Sequence, residues 1–165
     1  MMHRWKYLTN SKPRAQVPVR TPMSPLKPTI QSRQVSEAGG QRKSIVIVDD
    51  EEILRDLISN ELKSRGYECV ALASKREAYA WCLKHRPDLV ITDIRSPDMD
   101  GFQLLRLLKA NAGTRKVPIV FLTGYADEKN ATLARQLGAA EFLSKPCKIH
   151  EFESVIERLI GTSGV

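Results

Sequence analysis

No apolar run in this 165-residue chain approaches the length of a membrane span, and the N-terminal segment lacks the apolar core of a secretory signal. Both absences point to a cytoplasmic protein. Cysteine is scarce as well: Cys69, Cys82 and Cys147 are an odd number without Cys-x-x-Cys spacing. Neither a disulfide framework nor a paired-thiolate zinc site is expected, and the thiols read as reduced. The first strand-like run is not followed by Gly-x-Gly-x-x-Gly, which excludes the dinucleotide-binding fingerprint. Clustered positive charge is also missing. The formal net charge of +7 is unevenly spread, with nine Lys/Arg against Glu37 alone in residues 1–43, and 17 basic against 18 acidic residues in 44–165.

The N-terminal segment holds five of the nine prolines (Pro13, Pro18, Pro22, Pro25 and Pro28) together with Gly39-Gly40. Such a composition cannot bury enough apolar surface to offset its ordering entropy, so residues 1–43 are expected to form a disordered, basic arm. The arm reads as a solvated leader or as a contact for nucleic acid or an anionic surface. Its basic residues are spread out and Trp5 and Tyr7 are its only aromatics, which argues against nucleic acid. The prolines also work against the amphipathic helix of a transit peptide.

From Ser44 the pattern changes. Ile45-Val46-Ile47-Val48 is a continuous β-branched run, as in a strand covered on both faces, and it ends at Asp49-Asp50-Glu51-Glu52. The next segment predicts a helix with Ile53, Leu54, Leu57, Ile58 and Leu62 on its core side, ending near Lys63, Arg65 and Gly66. The alternation then repeats, with strands over 67–73, 89–92, 117–123 and 141–144 and helices over 75–85, 102–111, 126–137 and 149–160. Five βα units with short connections predict an α/β fold, a doubly wound, flavodoxin-like parallel sheet with helices on both faces.

In such a sheet of order 2-1-3-4-5, ligands bind beyond the carboxyl ends of the strands, between the first and third. Those two strands end in Asp49-Asp50 and in Asp93, which heads the loop Ile94 to Gly101 with its turn formers Pro97 and Gly101. By itself Asp93 reads equally as a solvated aspartate that ends a strand. Three carboxylates in one crevice, however, repel one another unless a cation binds, and an all-oxygen set suits a hard ion, magnesium above all. The fourth strand adds the hydroxyl of Thr123, and the fifth adds the positive charge of Lys145, followed by Pro146.

Taken together, these motifs resemble the receiver domain of two-component response regulators, of the single-domain chemotaxis-regulator type. The resemblance runs from residue 44 to about 161, leaving the arm and a short tail over 162–165. It rests on the acidic pair Asp49-Asp50, on Asp93 with Pro97 and Gly101, on Leu122-Thr123-Gly124, and on Gly138-Ala139 leading to Phe142 and Lys145-Pro146. It implies that Asp93 accepts a phosphoryl group from a phosphohistidine on a sensor histidine kinase or phosphotransfer protein. Mg2+ would be held by Asp49, Asp50, Asp93 and the Arg95 backbone carbonyl, Lys145 would pair with the phosphoryl group, and Thr123 would follow it. Phe142 is a core residue on composition alone, and a switch residue by the resemblance. Activation would then reshape the surface of the fourth helix, fifth strand and fifth helix for an unknown downstream target. The other outlets are passing the phosphoryl group on in a relay, or binding through the basic arm.

Two positions depart from the family pattern. Ser96 replaces a bulky apolar residue, which is expected to loosen its loop, and Cys147 replaces an aliphatic or aromatic one. Aspartate phosphatases carry a second aspartate two residues after the nucleophile; here that position is Arg95. The chain is therefore expected not to be an enzyme beyond its own phosphotransfer and dephosphorylation. The resemblance also implies that Arg95 and Tyr125, two residues after Asp93 and Thr123, flank the path of an attacking water, where a stacked pair would slow hydrolysis and side chains pointing into solvent would not.

Overall fold

The computed structural model describes residues 42–163; all but the last two residues of the predicted arm lie outside the described residues. Five strands alternate with five helices: β1 (Ser44–Val48), α1 (Glu52–Ser64), β2 (Glu68–Leu72), α2 (Lys75–His85), β3 (Leu89–Thr92), α3 (Gly101–Ala110), β4 (Ile119–Thr123), α4 (Glu128–Gln136), β5 (Glu141–Ser144) and α5 (Ile149–Ile160). The strands form one parallel sheet in the order β2-β1-β3-β4-β5.

Alternation along β1 explains how one sheet serves two cores. Val46 and Val48 face the cluster that packs α2, α3 and α4 through Ala78, Leu104, Leu105 and Ala134, whereas Ile45 and Ile47 face α1 and α5 through Ile58, Leu62, Phe152 and Ile156. Each fully buried valine, leucine or isoleucine among them contributes about 1.5–3 kcal/mol relative to exposure. β1, β3 and β4 are buried along almost their whole length, while β2 and β5, at the sheet edges, are half-buried.

The expected helix and strand sequence is present, with corrections of detail. The core stripe of α1 is narrower than the periodicity suggested: Ile58 and Leu62 are buried and Leu54 packs against them, but Ile53 and Leu57 are 83% and 65% exposed. At 100° per residue, Ile53 and Leu57 lie on the flank of the helix turned away from Leu62. The ends are also firmer than expected. The Ser163 hydroxyl, read as part of a tail, is buried, accepts from the Lys43 N–H at 3.2 Å and donates to the Gly66 carbonyl at 2.8 Å. Gly66, just beyond α1, has φ +89°, a left-handed conformation that glycine adopts without steric cost.

Candidate functional site

The carboxyl ends of β1 and β3 are neighbours because Val48 is in register with Thr92, and the Asp93 N–H donates to the Val48 carbonyl at 3.3 Å. This places Asp49 and Asp93 side by side, both buried, with their side chains 5% and 11% exposed. From β5, Lys145 reaches across and its ammonium donates to Asp49 Oδ2 at 2.7 Å and to Asp93 Oδ2 at 3.2 Å. Its position follows from register: Thr123 pairs with Ser144, and the Lys145 N–H donates to the Thr123 carbonyl at 2.9 Å. Burial disfavours the Lys145 charge, but the hydrogen bond and charge of Asp49, with those of Asp93, outweigh it and raise the ammonium above its ordinary pKa.

The three carboxylates do not close on one another as the sequence suggested. The cation that meets Asp49 and Asp93 is the Lys145 ammonium, and Asp50 is exposed on the wall of an open crevice of about 740 Å³ that also has Asp93, Arg95 and Lys145 in its lining. Among the described residues no three His, Cys, Asp or Glu side chains stand close enough to form a ready-made metal cage. The donor set still fits magnesium. That ion keeps several waters and needs only one or two carboxylates, and Asp50, Asp93 and Arg95 all line the crevice.

The loop after β3 is shaped by close packing. Gly101 opens α3 with its N–H on the Ile94 carbonyl at 2.6 Å, and a Cβ at that position would come within 2.6 Å of the Asp93 carbonyl and 2.8 Å of the Phe121 ring. The sequence marked Gly101 as a turn former; its requirement is contact. The expected loosening at Ser96 is absent too. The Ser96 hydroxyl bonds Asp98 Oδ1 at 2.8 Å and the Met99 carbonyl at 3.0 Å, and accepts from the Lys75 ammonium at 2.7 Å. Asp98 Oδ2 in turn takes the Ser74 hydroxyl at 2.8 Å and the Arg76 N–H at 3.0 Å, which ties the loop to the start of α2. Burial pushes the Asp98 carboxyl up, but the Arg76 amide and the Ser74 and Ser96 hydroxyls together hold it well below the usual carboxylate range. Sequence reasoning missed both Lys75 and Asp98; the exchange at Ser96 was the only sign of them.

Thr123 is fully buried at the end of β4, its hydroxyl oxygen accepting the Tyr125 N–H at 3.1 Å. Phe142, half-buried on β5, stands 6.1 Å from the Phe121 ring and lines a cavity of about 360 Å³ with Ala131, Ala134 and Arg135 of α4. Cys147 packs half-buried against the α1/α5 side of the core. Arg95 and Tyr125 both line the crevice, and the Arg95 guanidinium lies 3.8 Å from the centroid of the Tyr125 ring.

The description of the response regulator receiver domain matches residues 45–157. The phosphate regulon transcriptional regulatory protein PhoB of Pseudomonas aeruginosa is 32% identical over 122 residues, which are 74% of this chain and 53% of PhoB. The chain thus spans about half the length of that relative. The polar-differentiation response regulator DivK of Brucella anthropi is 30% identical over 119 residues, 72% of this chain and 97% of DivK. Among solved structures, the chemotaxis response regulator CheY4 of Vibrio cholerae matches with a TM-score of 0.68 at 28% identity, covering 72% of this chain and 99% of that one.

Proposed function

The chain belongs to the response regulator receiver domain family, and on that premise we propose that Asp93 is the residue on which it accepts a phosphoryl group. The observation that carries the assignment is the setting of Asp93: its carboxylate opens on the crevice at the tip of a fully buried strand, with the Lys145 ammonium 3.2 Å away. In the transfer, an Asp93 oxygen forms a bond to phosphorus while the bond between phosphorus and the histidine nitrogen of the donor breaks, and its electron pair stays on that imidazole. Such a loose transition state asks the protein mainly to place groups and to neutralise charge on the equatorial oxygens.

Lys145 is suited to leave the carboxylate and follow the incoming oxygens, because one ammonium already bridges two partners. The Thr123 hydroxyl, with its proton free of the Tyr125 contact, donates to the same group. Asp50, Asp93 and the Arg95 carbonyl, with Asp49 behind them, would hold Mg2+, which would supply further positive charge there. Movement of Thr123 toward the phosphoryl group frees space beside Phe142, and the cavity between β5 and α4 accepts its ring. The output surface is then α4, β5 and α5, and the donor is a sensor histidine kinase or a histidine phosphotransfer protein.

Arg95 and Tyr125 stack in the lining of the crevice and offer no carboxylate or amide to orient an attacking water, so self-dephosphorylation is expected to be slow. The unpaired cysteines fit a cytoplasmic setting, and no helix among the described residues is long and apolar enough to cross a membrane. Incubation with acetyl phosphate and magnesium tests the central assignment: the wild type is labelled and Asp93→Asn is not. Labelling of Asp93→Asn at wild-type levels contradicts it.

A further inference from the structure

Lys75 has no role in the proposed chemistry, yet it is among the largest fully buried side chains of the described residues, with 0% exposure. A lysine at the first residue of a helix ordinarily reaches into solvent, and burying its ammonium is costly without partners. Here the ammonium donates to Ser96 Oγ at 2.7 Å. That hydroxyl has one proton, which goes to Asp98 Oδ1 at 2.8 Å or to the Met99 carbonyl at 3.0 Å, so toward Lys75 it acts as the acceptor. An apolar side chain at position 96, as in the family pattern, has no oxygen to offer. Lysine and serine therefore form one unit in this chain.

Ser96 also lines the crevice that holds Asp50, Asp93 and Arg95, so Lys75 lies just behind its wall. Burial lowers the Lys75 pKa, and the carboxylates that oppose this are Asp93 first, then Asp98, Asp50 and Asp49. Three of those four are the groups assigned above to the metal. A cation among them meets a second unit charge through protein rather than through water, where charges act over longer range.

We propose that Lys75 is a built-in cation of the phosphoacceptor site that weakens its hold on magnesium, so that the site fills only at higher free magnesium than its carboxylates alone would set. The inference rests on the reading of Asp50, Asp93 and the Arg95 carbonyl as the magnesium site. Lys75 is not a ligand; it acts through the field it adds to the ligands, and its bond to Ser96 keeps it there.

Calorimetric titration of the full chain with magnesium chloride, without phosphodonor, reads the effect directly. Lys75→Met keeps the side-chain length and removes the charge, and it binds magnesium about three- to tenfold more tightly than the wild type. Lys75→Arg keeps the charge and stays within about twofold of the wild type. Equal affinity in Lys75→Met and the wild type overturns the proposal, as does the same tightening in Lys75→Arg, which assigns the effect to packing. Lys75→Gln, which retains an N–H for Ser96, carries the expectation of Lys75→Met if that variant does not fold. A wild type that binds no magnesium, or an Asp50→Ala variant that binds it equally well, contradicts the metal site itself, an outcome distinct from wild-type binding that the Lys75 variants merely reproduce.

Discussion

The two sides of the sheet differ in how tightly they are built. β1, β3 and β4 are buried almost throughout, and the residues of the proposed site, Asp49, Asp93 and Thr123, sit at their ends with little exposure. Around β5 the packing is looser: the strand is half-buried, α4 buries only Ala134, and a cavity of about 360 Å³ lies beside Phe142. Phosphoryl transfer needs atoms held in fixed geometry, so the carboxylate belongs on the rigid side. A response to the new charge needs a second arrangement of similar energy, and the half-packed side has room for one. Lys145 joins the two sides, rising from the end of β5 to bond the carboxylates of β1 and β3.

The sharpest way to break this comparison is to truncate one aromatic on each side. Phe121, fully buried on β4 against Phe102, is expected to cost about 3–5 kcal/mol on replacement by alanine. Phe142→Ala, beside the cavity, is expected to cost about 1–2 kcal/mol in chemical denaturation and to leave Asp93 labelling intact. Equal costs would mean that the two sides are packed alike.

Removing the tie between the sides comes next. Lys145→Met leaves Asp49 and Asp93 facing each other without their cation, and is expected to lower stability by about 3 kcal/mol near neutral pH and to suppress labelling. The pH dependence has a definite sign. Because the folded state raises the Lys145 pKa, its contribution is complete below the ordinary lysine pKa and is lost as pH rises through the folded value. The stability difference between wild type and Lys145→Met therefore shrinks at strongly alkaline pH; a difference that grew there would contradict the pairing.

The smallest effect concerns the stack over the crevice. An exposed arginine on a tyrosine ring contributes about 0.5–1 kcal/mol, so opening it with Arg95→Asn and Tyr125→Glu is expected to speed loss of phosphate by roughly two- to fivefold, with little change in melting temperature. A phosphorylated double variant that decays no faster than the wild type shows that the stack does not limit water.

The rigid side was the more legible in sequence. The run Ile45 to Val48 and the run Leu89 to Thr92 have the pattern of strands covered on both faces, and a carboxylate following each marks the crevice. Less legible were features set by where a side chain points in three dimensions. Ile53 and Leu57 were placed on the core side of α1, but only the stripe through Ile58 and Leu62 meets the sheet, and both are exposed. Lys75 was read only as the start of a helix, because nothing local to a helix start reveals that Ser96 and Asp98, some twenty residues on, supply an oxygen and a charge. Likewise Gly101 announced a turn, whereas its need for a hydrogen side chain comes from Asp93, just after β3, and Phe121 of β4.

The central claim is that the phosphoryl group is carried by Asp93 itself, and trapping the acyl phosphate tests it most directly. Reduction of the phosphorylated protein with borohydride converts the modified aspartate to homoserine, which peptide mass spectrometry locates. The account predicts homoserine at position 93, dependent on phosphodonor and magnesium, with Asp49 and Asp50 unchanged. Homoserine at position 49 or 50 in the wild type, with Asp93 intact, would contradict it.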